Sequence, residues 1–261
     1  MDKPPIIGKV FIGDDINKFI GQKLLLKSRG YPVNETVDFV KSYYDSVKKN
    51  FGGKISGNAL LVPVPSGSGE NIIPIIFSKL LKNDFKGLSI LKAGFFKKLH
   101  FSEAKFMTEM SKRLNDPIRY EITNPALLKE AVKGKDIYIV DDIMATGESS
   151  IRLKKTLNSA GIKVNGFINF ISVTKRYAEI KDMKRFYNKI TGYIPGINSN
   201  QFKKDIYTFF NDYTNQKLNR VERRINNQDS AQKALSLITE GAKIERSLTL
   251  KLTKGLKICN N

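Results

Sequence analysis

The side chains best placed to do chemistry stand together in Ile137-Tyr138-Ile139-Val140-Asp141-Asp142-Ile143-Met144-Ala145-Thr146-Gly147-Glu148-Ser149-Ser150. A β-branched apolar run of the kind that forms a buried strand ends on two adjacent carboxylates, and a short turn then leads into helical spacing. Carboxylates are acceptors only and suit the hydroxyls of a sugar. The first amides of the helix that follows have no intrahelical partner, and with the hydroxyls of Thr146 and Ser149 they can cradle a phosphate. Sugar hydroxyls and a phosphate are therefore the two ligand chemistries this string favours.

Such a turn needs a scaffold, and the rest of the chain supplies one. Residues 14–29 and 35–50 space their apolar side chains at three and four and read as amphipathic helices, the first opening on the acidic pair Asp14 and Asp15. Residues 59–64 form a compact apolar run, broken by Pro65-Ser66-Gly67-Ser68-Gly69 and followed by a helix-like segment over about 70–81. Residues 88–91 give a short strand, and 94–117 a basic stretch that turns helical from Ser102. A helix over 148–160 stops at Gly161 and precedes a β-rich run over 164–173. Strands alternating with helices predict an α/β fold whose parallel sheet is covered on both faces. An open sheet of this kind takes its ligand at the carboxyl ends of the strands.

After Lys175 the character changes. Residues 180–190 read as a helix, 192–196 as a break, and Phe202, Ile206, Phe209, Tyr213, Val221 and Ile225 as one helical face before a last helix near 230–250. The expected organisation is a domain over 1–175, including the N-terminal helices, and a basic helical extension over 176–261.

The 261 residues carry 45 Lys and Arg against 25 Asp and Glu, a net charge of +20 that calls for an anionic partner. Nucleic acid, phosphate-rich metabolites and acidic membrane surfaces all answer to it. With 41% hydrophobic residues and 10% aromatics, the chain has too much apolar content for disorder. The single cysteine, Cys259, excludes an internal disulfide, and with the single histidine, His100, it cannot build a Cys/His zinc site. No run approaches the roughly 20 apolar residues of a membrane span, so a cytoplasmic protein with no membrane partner is expected. Residues 196–261 hold twelve basic and six acidic side chains, and Arg220, Arg223 and Arg224 are their candidates for contact with DNA or RNA phosphates. The same charges read equally well as solvated helix faces.

The string around Asp141 resembles the PRPP motif of type I phosphoribosyltransferases, and the resemblance extends over roughly 35–175. It implies that Asp141 and Asp142 hold the ribose 2′- and 3′-hydroxyls and that Ala145, Thr146, Gly147, Glu148 and Ser149 wrap the 5′-phosphate. Ser66, Gly67, Ser68 and Gly69 stand where the family binds pyrophosphate, and Lys97, Lys98 and His100 where it has its catalytic loop. The metal would be Mg²⁺ carried by PRPP, with no direct protein ligand. The layout is similar to ComF-like proteins, without their zinc-binding cysteines, and at Ala-Thr-Gly to adenine phosphoribosyltransferases. Ala145 replaces the aspartate base of 6-oxopurine enzymes, and Glu148 brings a negative charge to the proposed phosphate site. The resemblance implies transfer of a phosphoribosyl group to a nitrogen nucleophile with release of pyrophosphate, in a monomer or a homo-oligomer. Two alternatives stand beside it: a nucleic-acid-associated factor, such as an effector of a mobile-element or retron-type phage-defence system, and a PRPP-binding regulator without turnover.

Overall fold

The computed structural model describes residues 3–66, 71–99, 119–144, 147–173 and 176–258. They fall into two compact units, one within 1–100 and 118–175, the other taking in 176–261.

In the first unit, β1 (Ile6–Val10), α1 (Asp14–Ser28), α2 (Val33–Lys48), β2 (Ala59–Pro63), α3 (Ile73–Asp84) and β3 (Ser89–Ile90) are followed by β4 (Phe96–Leu99) and β5 (Arg119–Ile122). Then come α4 (Pro125–Val132), β6 (Asp136–Met144), α5 (Glu148–Ser159) and β7 (Val164–Ser172). Five strands make one parallel sheet in the order β1-β7-β6-β2-β3, while β4 and β5 pair separately as an antiparallel ribbon. The α/β class with a helix-flanked parallel sheet is thus as the sequence implies. Among the described residues, no helix is long and apolar enough to cross a membrane.

The strands that carry the site are largely buried and correspondingly apolar on both faces. Tyr138 and Val140 of β6 join a core built by α1, α2, α3 and β7. Ile137 and Ile139, equally buried, turn to the face that α5 covers. Aromatic rings knit the first face. Phe19 of α1 lies 4.9 Å from Phe39 of α2 and 5.7 Å from Phe170 of β7, and Phe170 lies 4.8 Å from Phe77 of α3. Since α3 leaves β2 on one face and α5 leaves β6 on the other, the carboxyl ends of these two neighbouring strands open a crevice.

Four elements escape the sequence reading. β1 contains Gly8, where the pairing with β7 shifts register and a Cβ would stand 2.6 Å from the carbonyl oxygen of Asn169. Only a residue without a side chain lets the strands approach so closely. The ribbon of β4 and β5 joins residues about twenty positions apart in the chain, and α4 is short. The segment proposed to be helical from Ser102 lies outside the described residues.

Among its described residues the second unit holds the helices α6 (Ile180–Tyr193), α7 (Ser199–Phe210), α8 (Asn215–Glu222) and α9 (Gln228–Ile258). The single apolar face read across 202–225 is split between α7 and α8, because the chain turns at Thr214 to bridge back to Tyr177. α6 opens on a capping box between Glu179 and Asp182, and Arg176 grips the Asp182 carboxylate with two bonds of 2.8 and 3.0 Å. α9 lies so close to α7 that a Cβ on Gly241 would meet the Phe209 ring at 2.2 Å.

Candidate functional site

Strand alternation sends the two carboxylates at the end of β6 to opposite faces of the sheet, and each meets a different set of partners. Asp142, on the α1 and α3 side, is 4% exposed. Its Oδ2 accepts from Lys23 Nζ at 2.5 Å and from Asn71 Nδ2 at 2.7 Å, and its Oδ1 accepts from the amide of Ile143 at 2.7 Å. Asp141 is half-buried on the α5 side, where its Oδ2 accepts from the Ser150 hydroxyl at 2.9 Å and its Oδ1 from the amide of Asp142 at 2.9 Å.

These surroundings fix the charge states. Burial, followed by the like charge of Asp142, pushes the Asp141 carboxyl up to about 6, against the relief given by Ser150 and Lys23. Burial opposes the charge on Lys23, yet the adjoining Asp142 carboxylate outweighs it and lifts the ammonium above its usual range. Lys98, on β4, is pulled below the usual lysine range by burial and by the like charge of Lys23, while Asp141 and Asp142 act in the opposite sense.

A pH dependence follows for Asp141. The folded protein holds its proton more tightly than the unfolded chain does, so this group lowers stability as pH rises from about 4 to about 6 and adds no further change above that. Asp141→Asn removes the effect. Urea unfolding of parent and variant across that range should show the parent losing stability relative to the variant, and parallel curves would refute the assignment.

The β4–β5 ribbon brings a second layer. Lys98 and Tyr120 are partners in register, and Lys98 Nζ lies 5.9 Å from the centroid of the Tyr120 ring. The buried Tyr120 hydroxyl lies toward Ser149 without completing a hydrogen bond, and burial together with Asp141 keeps its proton firmly bound. Across β6 and β7, Asn169 is paired in register with Asp141, is fully buried, and among the described residues finds no hydrogen-bond partner for either amide atom.

Of the residues singled out in the sequence, Asp141, Asp142, Lys98, Gly147, Glu148 and Ser149 come to the end of β6 and the start of α5. Gly147 caps α5 with φ +80°, in the left-handed region, and a side chain there would press on Ile151 and Met144. Glu148 sits 4.0 Å from Arg152 one turn on, so its charge is answered within the helix. Lys97 alternates away from Lys98 and is exposed opposite Glu121. Ser66 is half-buried just past β2. Gly67, Ser68, Gly69, His100, Ala145 and Thr146 lie outside the described residues. Arg220 on α8, with Arg223 and Arg224 just after it, is exposed.

The sequence does not single out Lys23, Asn71, Tyr120, Ser150 or Asn169. Among them only Ser150 carried a signal, as the next residue of the motif. For a metal, the described residues hold no cluster of three His, Cys, Asp or Glu side chains. A hard cation prefers oxygen ligands, and here it would take most of them from a bound phosphate ligand. No protein-family model matches the chain, and no curated protein matches it in sequence.

Proposed function

We propose that the first unit is a type I phosphoribosyltransferase-like domain that binds PRPP or a related ribose-phosphate and transfers the phosphoribosyl group to a nitrogen nucleophile, releasing pyrophosphate. The observation that carries this reading is the pair of carboxylates near the carboxyl end of β6, a few residues before the N-terminus of α5. Acceptors for sugar hydroxyls and donors for a phosphate then lie one turn of chain apart.

The two carboxylates differ in openness. A carboxylate has about four acceptor positions; Asp142 already receives three hydrogen bonds, Asp141 two. Asp141 therefore makes the main ribose contact, and Asp142, paired with Lys23, supports it. Ser149 and the first amides of α5 take the 5′-phosphate. Lys98, half-buried and facing the carboxylates, neutralises charge that develops on the departing pyrophosphate. Mg²⁺, bound through PRPP, would add Lewis-acid neutralisation of the same leaving group.

Pyrophosphate release from PRPP is tested in the presence of Mg²⁺ and of purine, pyrimidine or nicotinamide-type acceptors. Lys98→Ala should slow turnover about a hundredfold while weakening PRPP binding much less, since its charge matters most as the bond breaks. Lys97→Ala, at an exposed position, should stay within a few-fold of the parent. PRPP binding without pyrophosphate release from any acceptor would make the protein a regulator, and absence of PRPP binding would end the reading altogether.

A further inference from the structure

The second unit carries a feature that ribose-phosphate chemistry does not use. Between α6 and α7 runs a groove of about 320 Å³, floored by Met183 and Ile206, walled by Tyr187 and Tyr207, and rimmed by Lys184 and Lys203. Lys203 and Tyr207 also line an adjoining depression, which Gln201, Lys204, Thr208 and Arg246 complete. Tyr207 is 52% exposed, and Lys203 Nζ stands 4.9 Å from the centroid of the Tyr187 ring.

The charge along this track is one-sided. Among the described residues, no carboxylate lines either depression. Asp205, between Lys204 and Ile206, is buried and occupied by Gln201 at 2.9 Å and Arg246 at 2.7 Å. Lys184, Lys203 and Lys204 are exposed, and among the described residues none of them forms an ion pair. Residues 176–261 as a whole carry 17 basic and eight acidic side chains, a net charge of +9. Unanswered cations along a groove repel one another and favour an anionic occupant.

We infer that this groove binds a single-stranded polynucleotide, with a base stacked on the exposed Tyr207 ring and phosphates followed by Lys184, Lys203 and Lys204. A stacking face combined with a basic track is what such a strand requires, since every base has a π-face and every linkage a charge. An acidic amphipathic helix fits less well, because it needs apolar holes along successive turns. Here the aliphatic side chains are confined to the first depression, and the second offers amide, hydroxyl and cationic groups. A duplex hides its base faces and cannot use the Tyr207 ring.

The test is fluorescence anisotropy of the full chain with labelled oligo-dT and oligo-rU of about 20 nucleotides, longer than a single site, and with a duplex of equal length. Both single strands, or one of them if the sugar is read, should bind more tightly than the duplex. Tyr207→Ala should weaken binding about 5- to 100-fold, while Tyr207→Phe, which keeps the ring, should stay near the parent. Lys184→Gln, Lys203→Gln and Lys204→Gln together should flatten the logarithmic salt slope by about two. Circular dichroism checks that each variant folds. Three results would overturn the inference: no single-strand binding at about 50 mM salt; equal affinity for the duplex with no effect of Tyr207→Ala; or a Leu/Glu-patterned helical peptide that binds more tightly than either oligonucleotide and loses affinity in Tyr207→Ala.

Discussion

Asp141→Asn combined with Asp142→Asn is expected to lower PRPP affinity by about two to four orders of magnitude, because two charge-assisted hydrogen bonds worth about 1.5–3 kcal/mol each disappear. The double variant also leaves Lys23 enclosed without its partner, and an unpaired charge in such a place is strongly destabilising. Loss of binding must therefore be separated from loss of fold. Asp141→Asn alone keeps the Lys23–Asp142 pair and should still weaken PRPP at least tenfold, as one charge-assisted bond is worth. Adding Lys23→Met to Asp142→Asn removes both charges and should recover most of the stability lost by Asp142→Asn. Isothermal titration with PRPP in Mg²⁺ buffer reads the affinities, and urea unfolding reads the stabilities. An Asp141→Asn protein with parental affinity would remove Asp141 from the ribose.

Phe19→Ala should cost about 3–5 kcal/mol of stability, the usual range for emptying a buried aromatic site. Phe19 is fully buried and lies within 6.5 Å of the rings of Phe11, Phe39, Tyr43 and Phe170, so no single neighbour can collapse into the space. The residue also sits one turn before Lys23 on the same face of α1. Loosening it frees the helix that presents Lys23 to Asp142, so PRPP affinity should fall along with the midpoint of urea unfolding. A variant that unfolds at the parental urea concentration would contradict this account of the core.

What the sequence makes legible follows from how each element is stabilised. β2 and β6 are buried on both faces and so appear as continuous apolar runs, and α2, α5 and α6 show the spacing of a helix with one buried side. β1 hides because its interior glycine answers to a neighbouring carbonyl rather than to any local pattern. β4 and β5 hide because a two-stranded ribbon needs only a weak alternation, Phe96-Lys97-Lys98-Leu99, and its partner is distant in the chain. That alternation nevertheless decides which of two adjacent lysines faces the site. Asp141 and Asp142 stand out as two carboxylates following an apolar run, whereas Lys23 is one of 45 cations in the sequence and its role is set only by the packing of α1. Tyr120 and Asn169 are equally silent, since an unsatisfied hydroxyl or amide is a property of the cavity around it.

The parallel pairing of β1 with β7 bears on how the protein is made. Among the described residues β1 is an edge strand whose neighbour in the sheet ends at Ser172, so on the ribosome the first strand waits for more than half of the chain to be translated before it can pair. Until then α1 has no completed sheet to lie on, and the core that sets Lys23 against Asp142 lacks Ile168, Phe170 and Ile171. Closing so long a loop is slow by topology, and an unpaired early strand is open to non-native association. Nascent chains stalled before residue 164 should consequently be protease-sensitive throughout 6–28, and acquire protection there only once β7 has cleared the exit tunnel.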